Sequence, residues 1–194
     1  MKTNILLLIF IASMLLFTGC GERYILENKN ESIGVNGDFE EIKNGYPLNW
    51  DIHASPINKG HSKIILDTVD VQNGTYSLKI EAIKVAGGKK AWKKPGLSKE
   101  LNIEPNKKYK LSIWIKNTDS KFYVKWTTLD KANKKQLSSK TFIEMDVTVT
   151  TWYYFKEIIT TNANEEILKL EIVVTQPGTL LVDNIKFEEI IEGD

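Results

Sequence analysis

The chain has 194 residues, 42% of them hydrophobic and 26% charged, with a formal net charge of +1 and one cysteine. No basic excess points to nucleic acid as a partner, and one cysteine excludes an internal disulfide. Arg23 is the lone arginine, which argues against bidentate recognition of phosphate or carboxylate.

The first residues, Met1-Lys2-Thr3-Asn4, precede an apolar run from Ile5 to Phe17 that only Ser13 interrupts. A short positive start followed by an apolar core is the layout of a secretory signal peptide. The run is shorter than the ~20 residues of a membrane-spanning helix. It ends Leu16-Phe17-Thr18-Gly19-Cys20, which resembles the bacterial lipobox, with Phe17 where leucine is usual. Residues 1–19 are therefore expected to be cleaved. Cys20 is expected to carry the lipid that anchors the protein at the outer membrane or cell surface. Several acyl chains together give stable attachment. Removal of the leader takes away Lys2 and leaves 175 residues with 25 cations and 25 anions. That length suits one domain with a sizeable core.

Residues 20–32 read as a lipid-anchored polar tether. Beyond them no helical period develops. Short runs of alternating apolar and polar residues follow, divided by turn residues, and predict an all-β sandwich. Tyr76, Leu78, Ile80 and Ala82 alternate with Ser77, Lys79, Glu81 and Ile83. Leu97 to Ile103 is a further strand, closed by Glu104-Pro105-Asn106-Lys107. Tyr109, Leu111, Ile113 and Ile115 share one face, and Lys110, Ser112, Trp114 and Lys116 the other. Phe122, Val124 and Trp126 oppose Tyr123, Lys125 and Thr127. Lys131 to Lys140 reads as a polar hairpin loop. Strands are then expected from Trp152 to Ile159, Leu168 to Val174 and Leu180 to Glu188, with Gln176-Pro177-Gly178-Thr179 as a turn. The domain is placed at residues 33–190, with 191–194 as a tail.

Five phrases stand in order: Val35-Asn36-Gly37-Asp38-Phe39-Glu40, Gly45-Tyr46-Pro47-Leu48-Asn49-Trp50, Asn73 to Ile80, Tyr109 to Lys116, and Val182-Asp183-Asn184-Ile185-Lys186-Phe187. Together they resemble the jelly-roll carbohydrate-binding modules of families four, nine and twenty-two, within the galactose-binding-like superfamily. In a sandwich, Gly37 would allow a tight entry into the first strand. Pro47 and Trp50 would plug one end of the core, the indole N–H meeting backbone. Asn73-Gly74 would supply a turn of positive φ.

The resemblance implies one structural calcium ion near neighbouring terminal strands. Glu40 and Asp183 match its motif positions, and Asp38, Asn73 and Gly74 are further contributors. Calcium takes six to eight oxygen ligands. The competing expectation is that Asp183 caps a turn or pairs with a lysine without metal. The resemblance also implies a carbohydrate ligand stacked on outward aromatics. Parity selects Trp114, Tyr123 and its neighbour Lys125, and Trp92 stands in a Gly- and Lys-rich loop. Trp126, Trp50 and Trp152 read as structural, and one of Tyr153 and Tyr154 is expected to face out.

Nothing in the sequence assembles an active site. His53 and His61 read as solvated loop residues, with neither metal-ligand spacing nor a triad around them. Acidic pairs such as Glu40-Glu41 and Glu165-Glu166 give no glycosidase pairing across a cleft. The expectation is a non-catalytic, lipid-anchored protein of the bacterial envelope that captures poly- or oligosaccharide. The alternative is an envelope protein-interaction or adhesion module of the same fold. A third reading is an accessory domain beside a hydrolytic partner.

Overall fold

The computed structural model describes residues 34–53, 61–85 and 94–191, all within one compact unit, Ser32–Asp194. Cys20 and Trp92 lie outside the described residues. Among the described residues twelve strands run in chain order: β1 (Ile42–Lys43), β2 (Tyr46–Pro47), β3 (Asp51–His53), β4 (Ser62–Asp67), β5 (Ser77–Ala82), β6 (Gly96–Asn102), β7 (Lys108–Thr118), β8 (Lys121–Leu129), β9 (Gln136–Met145), β10 (Val149–Thr160), β11 (Ile167–Gln176) and β12 (Gly178–Glu189). There is no helix among the described residues.

Strands β10-β7-β12-β5-β4 form one antiparallel sheet and β3-β6-β11-β8-β9 the other; β1 and β2 make a small hairpin. The two-residue period decides which side chains go inward. Leu111, Ile113 and Ile115 of β7 and Leu180 and Val182 of β12 are fully buried in the core. Val124 of β8 and Leu168, Ile172 and Val174 of β11 are fully buried in the same core. The two-sheet sandwich expected from the alternation, and the jelly roll that the resemblance implies, are the fold observed.

One reading of the sequence is corrected here. Residues 136–140 are not loop: they begin β9, which pairs Gln136 with Leu129 and Lys140 with Trp126. The turn is confined to 130–135, where Asp130 Oδ1 accepts from Ala132 N at 2.7 Å. Strand β9 is polar because it is an edge strand, and edge strands favour charged and polar residues that discourage pairing with another chain.

The first described residues close the sandwich onto the last strand. Ile185 N donates to Gly37 O at 2.9 Å. A Cβ on Gly37 would stand 2.0 Å from the Ile185 carbonyl oxygen. Gly37 is thus required by close backbone approach; its φ is not in the left-handed region. Asn36 beside it has φ of 46° and works as a hub: its amide donates to Glu41 O and Leu48 O, and its carboxamide oxygen accepts from Glu41 N. Trp50 plugs this end as expected, its Nε1 donating to Asn36 O at 3.0 Å. Lys99 points inward at the same place. Its Nζ donates to Asn49 O at 3.3 Å and lies 5.7 Å from the Trp50 ring centre. Burial pushes its pKa down.

Candidate functional site

The outer face of the second sheet carries three rows of mostly polar side chains in register. One row runs His53, Gly96, Val173, Tyr123, Glu144 across all five strands. The next runs Asp51, Ser98, Glu171, Lys125, Thr141. A third joins Glu100, Lys169, Thr127 and Ser139. Strands lie about 4.8 Å apart, so each five-strand row is roughly 19 Å long.

Part of this face is shielded from solvent. Val173, Ser98 and Thr127 point away from the core, yet they are only 0%, 4% and 5% exposed. Gly96 lets β6 and β11 approach closely between His53 and Val173, because a Cβ there would stand 2.2 Å from Ile172 O. Tyr123, Lys125, Lys169 and Glu171 are half-buried along this floor. These rows form a strip, the candidate groove, with one aromatic ring and both donors and acceptors, the combination that a small polar ligand requires.

Carboxylates outnumber lysines in these rows: Asp51, Glu100, Glu144 and Glu171 stand with Lys125 and Lys169. Lys169 Nζ pairs with Glu171 at 3.0 Å, and Lys125 has no ion pair among the described residues. Burial and the nearby Glu171 carboxylate push the Tyr123 phenol up, so it is a neutral hydroxyl at ordinary pH. His53 is corrected from the sequence reading: it is a strand residue, half-buried, with Nε2 3.0 Å from Ser98 Oγ. Burial is the main reason its pKa is lowered, opposed by Glu171, so the imidazole is neutral at pH 7. Its Nδ1 is buried and has no hydrogen-bond partner among the described residues.

The predicted contacts do not form one site. Tyr123 and Lys125 lie in this groove. Trp114 is on β7, on the outer face of the other sheet, with its ring centre 5.1 Å from that of Tyr154. Trp126 packs against the core as expected. Tyr153 and Tyr154 are both exposed, at 55% and 40%, because β10 is an edge strand; the expectation that only one faces out is corrected. The groove residues Asp51, His53, Ser98 and Glu171 escaped sequence reasoning. The alternation of β11 did put Glu171 and Lys169 outward; their register with β6 and β8 was not readable.

The predicted metal residues gather at the loop before β5. Glu40 Oε1 accepts from Thr75 N at 2.6 Å and Tyr76 N at 3.0 Å. Asp183 Oδ2 accepts from Gln72 N and Asn73 N at 2.9 and 3.0 Å, and its Oδ1 from Asn184 N at 2.6 Å. Gly74 has φ of +78°, and Glu40 Oε1 occupies the space a side chain there would need. Asp183 is fully buried, and its pKa is pushed up to about 6 by burial, with Asp38 adding to the rise and the three N–H donors opposing it. A buried carboxylate beside a second one, with no cationic side chain paired to either among the described residues, fits a cation. Among the described residues no three His, Cys, Asp or Glu side chains converge on a metal position. A calcium held by Glu40 and Asp183 would therefore draw other oxygens from backbone carbonyls and water.

A two-sheet jelly roll with a polar groove across one outer face defines a ligand-binding sandwich. Over residues 31–179 the chain matches the carbohydrate binding domain family CBM_4_9, and it belongs to that family. The CBM22-1 xylan-binding domain of Paenibacillus barcinonensis Xyn10C is similar in fold, with a TM-score of 0.55 at 17% identity over 81% of this chain and 94% of that one. A solved CBM4 module is similar at a TM-score of 0.56 and 16% identity, covering 82% of this chain and all of the other. The enzymatically active domain of tailspike protein 4 from bacteriophage CBA120 gives 0.61 at 14% identity over 82% of this chain, which spans only 21% of that longer one. No curated protein sequence matches the chain.

The depressed His53 pKa gives the groove a pH signature. The unfolded state protonates first, near pH 6.5, so stability present above that value is lost as pH falls through the lower folded value. Urea midpoints between pH 7 and 5 should fall more steeply for the wild type than for His53→Gln. Parallel pH profiles would refute this assignment.

Proposed function

We propose that the chain is a non-catalytic, lipid-anchored protein of the bacterial cell envelope that captures poly- or oligosaccharide in the groove on the second sheet. The observation that carries this reading is the solvent-shielded strip of Ser98, Val173 and Thr127 with Tyr123 and Lys125 half-buried along it. Family membership supplies the ligand class. A sugar ring offers an apolar C–H face and a rim of hydroxyls. Tyr123 stacks on the first. Lys125, Glu171, Ser98 and His53 meet the second, with the charged members forming the stronger hydrogen bonds. The groove's mixed charge suits neutral chains such as xylan, the ligand named for the Paenibacillus module.

A second reading, docking of an envelope protein, is favoured by one observation. Ile42, Tyr46 and Ile65 are 38%, 50% and 41% exposed and line one shallow surface with Tyr76. A glycan array on the full chain separates the two. Binding to neutral polysaccharide is expected, with Tyr123→Ala weaker by tenfold or more, about 1.4 kcal/mol. Silence across plant, algal, host and bacterial glycans would transfer the function to a protein partner.

In this reading Cys20 is the anchor. Labelled palmitate should enter the wild type and not Cys20→Ala; equal labelling of both removes the lipid anchor from the proposal. We also propose that Glu40 and Asp183, with Asp38 nearby and the carbonyls of Asn73 and Gly74, hold a structural calcium. An ion bound only by the folded state raises stability in proportion to the logarithm of its concentration. Calcium should raise the melting temperature, EDTA should reverse the rise, and Asp183→Asn should abolish it. Identical melting with calcium and with EDTA would leave these carboxylates as acceptors for the loop's N–H groups alone.

A further inference from the structure

The outer face of the first sheet holds a second group of ligand-type side chains, separated from the groove by the whole thickness of the core. Tyr154 of β10 pairs across the strands with Trp114 of β7, and their rings meet at 5.1 Å with planes tilted by 49°. Trp114 is half-buried and Tyr154 is 40% exposed. On the far side of Trp114, β12 places Asp183, which the backbone of Gln72 and Asn73 covers. The Gln72 and Asn184 side-chain amides bond each other there at 3.0 Å. The aromatic pair thus lies beside a step lined with amides.

The next row along the sheet reads Lys156, Ser112, Lys186. Ser112 is buried and small, while both lysines are exposed. Three other lysines on this face have carboxylate partners. Lys79 pairs with Asp67 and Glu81, Lys110 with Glu188, and Lys116 with Asp70. Lys156 and Lys186 have no ion pair among the described residues. Strand spacing puts their Cα atoms roughly 10 Å apart, one on each side of Ser112, and the aromatic row roughly 7 Å away. A pyranose stacked on Trp114 and Tyr154 would bring a ring substituent over Ser112, between the two ammonium groups.

We propose that this patch is a second carbohydrate-binding site, separate from the groove, and that it takes a sugar carrying a negative charge, such as a uronate. The aromatic pair supplies the stacking surface. Lys156 and Lys186 supply the positive excess that the carboxylate-rich groove lacks. A domain with sites on both outer faces would bridge two chains or two parts of one chain, and the tether would then gain from avidity.

The test uses the full chain in affinity electrophoresis through gels containing polygalacturonate or its carboxyl-reduced, neutral form. Retardation by the acidic polymer alone is expected at low salt, with a loss at high salt from screening. Lys156→Gln with Lys186→Gln changes only exposed side chains. This double variant should weaken retention about tenfold, the scale of two charge-assisted contacts. Trp114→Ala should abolish retention, whereas Tyr123→Ala, which disables the groove, should still be retained by the acidic polymer. Equal retardation by the neutral polymer, undiminished retention of the double-lysine variant, or loss of retention in Tyr123→Ala would each overturn the second site. Binding of the wild type to phosphatidylglycerol vesicles but not to polygalacturonate would also overturn it, assigning the patch to a lipid surface. Failure of the groove would show instead as loss of neutral-glycan binding with acidic retention intact.

Discussion

Gly37 and Ile185 touch so closely that no side chain fits at position 37, and the rest of the molecule is arranged around that contact. It draws the first described segment against β12, the central strand of the first sheet. From there Asn36 gathers Glu41 and Leu48 by side-chain hydrogen bonds, and the Trp50 indole returns to Asn36 O. The chain that leaves this clasp is β3, which joins the edge of the second sheet at β6. His53 and Asp51 stand at one end of the groove rows for that reason. Glu40, one turn away, holds the loop before β5 through two backbone N–H groups. One close backbone approach therefore links the ends of the domain, the candidate cation position and the groove.

The groove itself follows from alternation acting under burial. Each strand of the second sheet gives its core one set of side chains and turns the other set out. Most outward sets on a sandwich are flat and solvated. Here Gly96 admits close approach of the β11 backbone, and the outward side chains of Ser98, Val173 and Thr127 are almost wholly shielded among half-buried polar groups. The desolvation that depresses His53 and raises Tyr123 has the same origin. A partly dry recess strengthens each hydrogen bond made inside it. The other sheet has a different outer face, built on an aromatic pair and open lysines rather than on a recess.

Much of the fold was readable because buried antiparallel strands leave a two-residue signature. The strands from Leu111, Phe122 and Leu168 lie where that pattern places them. Strand β9 was missed for the opposite reason. Its residues Gln136, Leu137 and Ser138 make an edge with solvent on both sides, so no apolar alternation marks them. His53 was misread because a three-residue strand is too short to show a period. Of the candidate contacts, parity found Tyr123, Lys125 and Trp114 as outward residues. It could not show that the first two share a groove with Glu171 and Ser98 while the third looks out from the opposite sheet. Register between strands distant in sequence depends on packing of the whole core, which no local pattern encodes.

What the sequence determined by itself is therefore local: which segments are strands, which side chains face the core, and where Gly37 admits a close backbone approach. These follow from sterics and periodicity within a few residues. The tertiary structure alone decided which outward faces became a recess, which residues became neighbours across strands, and that the candidate contacts divide between two surfaces. The physical reason is that a two-sheet sandwich has two outer faces related only through its core. Residues as near in sequence as Trp114 and Tyr123 turn away from each other across that core, while Asp51 and Lys125 come into one row.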